Sequence, residues 1–365
     1  MQCIKKVVNR AAAGLVLALG VGLVSGPACA QALEKIKFGF AQNAVSPIVI
    51  NFIVPQFLGY YKEEGLEVEL VTLGTNAAVM AGLDQKRVEF GVGVPSFQLP
   101  LVAKGERLPG INFYEYTYPF KWAVAVKPES SFKSLADLKG EMVGVSSFGV
   151  TDFPVGKSMV RLSKMDPDKD IKWLAVGEGV TAGQAVARNA VSALIYFDTG
   201  FGQIEAAGIK LRYLPIPDNV PKVGGLYISA TKETLEKRRK SAIGFARAVA
   251  KASYFIQNNP EAAAYMFVKL YPEAAPRGMS LADQIKAVVT PIRKRMPLYS
   301  HYDKSITDIG RTTAAEWADE LEFMGLQDKI KDSSAFFTND LIAEINRFDK
   351  QKIIESARAF KIPAQ

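Results

Sequence analysis

The sequence predicts an α/β protein of two lobes. Three observations carry that reading. The chain has 365 residues, long for one hydrophobic core and natural for two. Short apolar runs alternate with helical stretches in two separate sets, the rhythm of parallel strands with covering helices. Each set is followed by an extended segment able to carry the chain from one lobe to the other. Composition is 48% hydrophobic and 22% charged, ordinary for a globular protein, so the argument rests on order rather than content.

Residues 1–30 are set apart first. Lys5, Lys6 and Arg10 form a positive n-region, residues 11–24 an apolar run too short to span a bilayer, and Ala28-Cys29-Ala30 a small-residue exit. This is the pattern of a secretory signal peptide, cleaved after Ala30 or Ala32. Both cysteines, Cys3 and Cys29, lie in it. The mature chain would then hold no disulfide, thiolate metal site or cysteine nucleophile. The leader contains three bases and no acid, so the formal charge of +8 falls by three to +5.

The first set reads as strand 36–40, helix 49–63, strand 68–73, helix 77–85 and strand 88–94. The aromatic segment "NFYEYTYPFKWAVAVK" follows and is extended. Tyr114, Tyr116, Tyr118, Phe120 and Trp122 share one parity and so one face of a strand. The second set reads as strand 142–145, helix 155–163, strand 171–176, helix 181–188, strand 192–196 and helix 200–207. Residues 223–229 are extended again. From Thr231 the chain is helical nearly to its end. One long helix is stopped by Pro260, and others lie near 261–270, 281–289, 305–324 and 339–348.

Each unit ends its strand in small polar residues before a helix begins. In parallel sheets ligands bind beyond the carboxyl ends of the strands, where helix N-termini present free N–H groups. The candidates in the first set are Gln42, Asn43, Ser46, Asn76 and Ser96. In the second they are Ser147, Gly149, Thr151, Tyr196 and Asp198. Ser, Thr and Asn also cap helices with no ligand involved, and both readings stay open for each residue. Tyr116 and Tyr118 lie near the first crossing, where a ring reaches a ligand or packs in the core. Asp152, Glu178 and Asp198 are carboxylates that three-dimensional structure can bring together.

Enzyme signals are poor. His301 is the only histidine, and no nucleophile elbow, zinc-binding helix, P-loop or dinucleotide fingerprint occurs. No catalytic residue, metal or cofactor is expected. Lys237-Arg238-Arg239-Lys240 and Arg293-Lys294-Arg295 read as solvated helix faces rather than a nucleic-acid patch.

Four stretches are familiar together: "PQFLGYYKEEGLEVELVTLG", "AGLDQKRVEFGVGVPS", "VKPESSFKSLADLKGEMVGVSSFG" and "FARAVAKASYFIQNNPEAAAYMF". The chain resembles the solute-binding proteins of ABC importers that handle nitrate, sulfonates, taurine and the pyrimidine precursor of thiamine. The resemblance implies a periplasmic-binding-protein type II fold. Lobe 1 would take residues 33–121 and 223–365, lobe 2 residues 122–222, with the ligand in the cleft. It implies a monomeric periplasmic receptor that closes on a small organic solute, anionic or aromatic. The receptor would deliver it to an inner-membrane permease with a cytoplasmic ATPase, with no nucleic-acid partner. The loop after the first strand (Gln42, Asn43, Ser46), the helix starts at Asn76 and Ser96, and the Ser147–Thr151 loop match the family's ligand contacts. Tyr196-Phe197-Asp198 matches a site where members often carry Trp and Asp-Pro; here Tyr196 and Thr199 stand instead. The loop "SSFGVTDF" is bulkier than the sulfonate binders' and contains Asp152. The alternative is an exported enzyme acting on a small organic substrate in the same cleft. The related thiamine-pyrimidine synthases share the fold but rely on histidine and cysteine that this mature chain does not supply.

Overall fold

A computed structural model describes residues 32–363; the expected leader lies outside them. The chain begins with β1 (Glu34–Phe40), α1 (Ile50–Leu58), α2 (Tyr60–Glu63), β2 (Leu66–Thr72), α3 (Asn76–Asp84), β3 (Phe90–Gly93), α4 (Pro95–Val102) and β4 (Ile111–Thr117). It continues with β5 (Trp122–Val126), β6 (Met142–Val145), α5 (Asp152–Leu162), β7 (Lys172–Ala175), α6 (Val180–Ala187), β8 (Ala193–Phe197), α7 (Asp198–Ala206) and β9 (Arg212–Leu214). It returns through β10 (Leu226–Ala230), α8 (Lys232–Lys237), α9 (Arg239–Asn258), α10 (Pro260–Leu270), α11 (Leu281–Arg295), α12 (Ala314–Met324), α13 (Ile342–Ile345) and α14 (Lys350–Ala359).

Two five-stranded sheets result, ordered β2-β1-β3-β10-β4 and β7-β6-β8-β5-β9. In each, four strands run the same way and one is inserted against them: β10 between β3 and β4, β5 between β8 and β9. The sheets are therefore mixed rather than purely parallel. The inserted strands are those that enter straight from the other lobe, so they run against the βαβ units already there. The crossings are the chain between β4 and β5 and that between β9 and β10. The carboxyl ends of β1, β3, β6, β7 and β8 all lead to the groove between the sheets, where helix starts converge.

Lobe 1 is held by an aromatic core. Phe38 stacks on Phe52 with ring centroids 4.2 Å apart, and Phe245 of α9 reaches Phe90 at 5.0 Å. Lobe 2 carries one apolar cluster on each face of its sheet.

Several helices differ from the sequence expectation, each for a local reason. The helix expected over 49–63 divides at Gly59, whose φ of +78° is a left-handed value that glycine adopts without a Cβ penalty. The long helix from Thr231 divides at Arg238. The helix expected near 305–324 begins only at Ala314, where Thr313 and Glu316 form a capping box. The residues before it are drawn into the lobe instead: the Gly310 N–H donates to the Tyr118 hydroxyl at 2.7 Å, and its carbonyl accepts from the Glu115 amide. The helix expected at 339–348 shrinks to α13, and α14 follows unforeseen. α4 begins at Pro95, beside the helix start expected at Ser96, with the proline in the first turn, where no N–H is needed.

Candidate functional site

Between the two sheets lies a cavity of about 100 Å³ lined from both lobes. A buried water takes about 10–15 Å³ on this measure, so the space holds several waters or one small solute. Lobe 1 contributes a mostly apolar wall: Phe40 and Ala41 at the end of β1, Ile48 and Val49, Val92 on β3 and Val94 just after it, Tyr116 on β4 and Leu226 on β10. Gln42 and Asn76 are its polar members. Lobe 2 contributes Ser146, Val150, Thr151 and Asp152 around the start of α5, Glu178 after β7 and Phe197 at the end of β8. Lys121 enters from the first crossing and Arg295 from the last residue of α11.

Asp152 is 1% exposed. Its Oδ2 accepts from the Ser146 backbone N–H at 2.7 Å. Its Oδ1 finds no hydrogen-bond partner among the described residues, nor does the Ser146 hydroxyl beside it. Burial pushes the Asp152 carboxyl up to about 6, against the Ser146 amide. Burial also raises Glu178. The start of α5, where a free anion would sit, is thus already occupied by the protein's own carboxylate.

Arg295 is also 1% exposed. Its Nε and Nη2 bind Asp198 Oδ2 and Oδ1 at 2.6 and 2.5 Å in a two-pronged pair. Burial works against its charge, but Asp198 outweighs it and raises the pKa. Nη1 has no partner among the described residues. Asp198 begins α7 in lobe 2, while α11 packs its apolar face, including Val288, Val289 and Ile292, into the lobe 1 core. The pair therefore ties the lobes together at the edge of the cavity. A second close approach lies beside it: Gly202 on α7 leaves no room for a Cβ against the backbone of Pro291 on α11.

Lys121 donates to the Gly224 carbonyl in the second crossing and lies 3.7 Å from the Trp122 ring centroid. Burial and Arg295 lower its pKa, while Glu320, Asp198 and Glu115 pull the other way. Behind it, Glu320 on α12 accepts from the Gly224 N–H and is raised by burial. A single buried lysine thus touches both crossings.

Of the residues singled out from sequence, Gln42, Asn76, Tyr116 and Thr151 line the cavity. Asn43 and Ser46 join Gln42 around an adjoining space of about 150 Å³, with Ser46 donating to Gln42 at 3.1 Å. The others stand elsewhere. Ser96 is fully buried outside the cavity. Tyr118 is turned toward Gly310, its ring 5.0 Å from His301. Ser147 and Gly149 close a small turn on each other, the Gly149 N–H donating to the Ser147 hydroxyl at 3.1 Å. Tyr196 is buried, its hydroxyl accepting from the Gly179 N–H. Asp198 acts through Arg295 rather than at the wall. Tyr114, Tyr116 and Tyr118 do not share one environment, because β4 ends at Thr117 and is covered on both faces.

Arg295 escaped the sequence reading because it sits in a run of three bases. Arg293 and Lys294 do behave as a surface, pairing with Glu261 and Glu205, but the third base turns inward. The available signal was helical spacing: Arg295 falls on the stripe of Ile285, Val288 and Ile292. Lys121 had a weaker signal, a lone charge between Phe120 and Trp122.

Comparison with known proteins agrees with this architecture. The Bacillus subtilis strain 168 protein YtlA, named as a candidate binding protein, is 23% identical over 233 residues, 64% of this chain and 70% of that one. The periplasmic aliphatic sulphonate binding protein SsuA of Escherichia coli superposes with a TM-score of 0.62 at 16% identity, over 81% of this chain and 87% of that one. The periplasmic nitrate-binding protein NrtA of Synechocystis PCC 6803 superposes with a TM-score of 0.55 at 14% identity, over 91% and 90%. The fold is that of the periplasmic binding proteins. The family model described as NMT1/THI5 like matches residues 46–263, more than half the chain, and the protein belongs to that family.

Proposed function

We propose that this chain is the periplasmic solute-binding receptor of an ABC importer. It captures a small organic solute by closing two lobes on it and delivers it to an inner-membrane permease driven by a cytoplasmic ATPase. One observation carries the reading: a cavity lined from two lobes, with buried hydrogen-bonding atoms from lobe 2 and from α11 left unpaired at its wall. Such atoms are costly to bury without a partner, so the site is built to receive one. The Arg295–Asp198 pair supports closure, because it joins the lobes only when they are together. The periplasmic binding proteins named above share the fold, and the charged leader reads as an export signal. Among the described residues no helix is long and apolar enough to cross a membrane.

The exported-enzyme reading has less support at the cavity. His301 is buried outside it, bonded to Glu316 at 3.1 Å. Asp152 and Glu178 both stand on lobe 2, so they do not flank a substrate from opposite sides.

The test begins with mass spectrometry of small molecules that co-purify with gently prepared protein. Small-angle scattering then follows the radius of gyration as the identified solute is added. We expect it to fall on binding, with the solute recovered unchanged. A constant radius at saturation would point to a rigid pocket, and chemical turnover to the enzyme.

A further inference from the structure

We infer that the captured solute carries a nitrogen head with N–H donors (an amine, an amidine or an aminoheterocycle) and that Asp152 is its receiver, rather than a sulfonate, nitrate or carboxylate head bound at the start of α5. The inference rests on the receptor reading and names the ligand class of its cavity.

Three features of the cavity point this way. First, a buried acid stands where an anion would bind. Asp152 is the first residue of α5 and its Oδ2 takes the Ser146 amide just after β6, so a second anion there would meet like charge in a dry site. Second, the charged lobe 2 atom left free at this wall is an acceptor, beside the unpaired Ser146 hydroxyl, which can donate or accept. Asp152 Oδ1 is buried and unpaired, and a carboxylate oxygen can only receive hydrogen bonds when ionised. Third, the charges do not balance without a donor. Arg295 is neutralised by Asp198, and Lys121 is turned to the Gly224 carbonyl of the second crossing. That leaves Asp152 and Glu178 at the wall with no basic partner among the described residues. Burial raises the Asp152 carboxyl to about 6, as expected of an acid waiting for a partner. The apolar wall of lobe 1 takes the organic body, and Arg295 Nη1 is left to donate to an acceptor on it.

The experiment uses pairs of molecules with one body and two heads: benzamidine against benzenesulfonate, 4-aminopyridine against pyridine-4-sulfonate, and butylamine against butane-1-sulfonate. Each is titrated calorimetrically into ligand-stripped protein and into Asp152→Asn, with unfolding curves to check that the variant folds. In at least one pair the nitrogen compound should bind ten times or more tighter than the sulfonate. Asp152→Asn should remove that preference and Asp152→Glu keep it. Should Asp152→Asn fail to fold, Glu178→Gln takes its place, with a loss of three- to tenfold expected. A sulfonate that binds as tightly as its nitrogen partner overturns the inference, as does a preference untouched by these variants or an absence of binding in every pair. Scattering on the same samples separates the two levels: lobe closure on a sulfonate refutes the ligand class and leaves the receptor standing, while tight nitrogen binding without closure does the reverse.

Discussion

The two lobes answer one sequence pattern in opposite ways. Each brings strand ends and helix starts to the cleft. In lobe 1 the polar side chains at two of these junctions pair at home: Thr75 caps α3 by accepting from Ala78, and Ser46 donates to Gln42, while α1 and α4 start without a side-chain cap. What lobe 1 shows the cavity is mainly side-chain hydrocarbon. In lobe 2 α5 also starts without a side-chain cap, but its first residue is a buried aspartate that takes the Ser146 N–H with one oxygen and leaves the other unpaired. The difference teaches how a two-lobe site divides labour. One wall supplies non-directional burial that suits many organic bodies, and the other supplies directional groups that choose among heads. Arg295 belongs to neither wall alone, since α11 sits in the lobe 1 core while its guanidinium is held by lobe 2.

The harshest way to break the comparison is to cut the tie between the walls. Arg295→Met keeps the bulk and strands Asp198 in a mostly buried position. Removing one member of a buried ion pair costs about 3–5 kcal/mol. Chemical denaturation should show a loss of that order, and scattering should show a more open ensemble. Arg295→Lys should recover only part, because an ammonium cannot repeat the two-pronged geometry. Near-parental stability in Arg295→Met would mean that the lobes hold together without the pair.

The next test is pH. The Asp152 carboxyl is raised to about 6 from an unfolded value of 3.8. The folded state therefore holds a proton that the unfolded state has released. This contribution to stability is full below about pH 4 and fades as pH rises through about 6. Moving this carboxyl from 3.8 to about 6 corresponds to about 3 kcal/mol at most. Glu178, raised by burial, acts with the same sign. Ligand-free protein should lose stability across this window and Asp152→Asn should lose less. At pH 5, binding of benzamidine should release a proton from Asp152, seen as a calorimetric heat that changes with buffer ionisation enthalpy.

A milder change separates the walls directly. Val94→Ala in lobe 1 removes methyl groups that face the cavity. It should weaken every solute by about 1 kcal/mol, roughly fivefold, whatever its head. Asp152→Asn in lobe 2 should instead alter the ranking of heads. A Val94→Ala protein that changed ranking would erase the division between walls.

Much of the fold was legible because strand–helix alternation is local and repeats. Gln42, Asn76 and Thr151 were legible for a related reason: they follow strands whose carboxyl ends must face the groove. What stayed hidden depends on long-range packing. Arg295 is 97 residues from Asp198 in sequence, and nothing local distinguishes it from its two basic neighbours except its place on the apolar stripe. Lys121 becomes meaningful only when the second crossing brings Gly224 to it. Tyr118 and Tyr196 looked like ligand rings because tyrosine suits that role, yet each had a backbone N–H waiting inside the fold.

The smallest expected effects fall within the stretch that first suggested a helix-borne site. Ser147 and Thr151 lie four residues apart, and sequence gives them the same claim. In the structure only Thr151 faces the cavity, while the Ser147 hydroxyl accepts from Gly149 at 3.1 Å in a partly exposed turn. Ser147→Ala should cost about 1 kcal/mol or less, the worth of one neutral hydrogen bond near solvent, and leave affinity unchanged. Thr151→Ala should be equally mild in stability, because no side-chain cap is lost. Its hydroxyl stands one residue from Asp152 at the wall, however, so its loss should weaken binding of a nitrogen-headed probe by a few-fold. Unfolding and titration on the same two proteins decide the matter. If Ser147→Ala weakens binding more than Thr151→Ala, the loop rearranges on the solute, and the wall of lobe 2 is made during closure rather than before it.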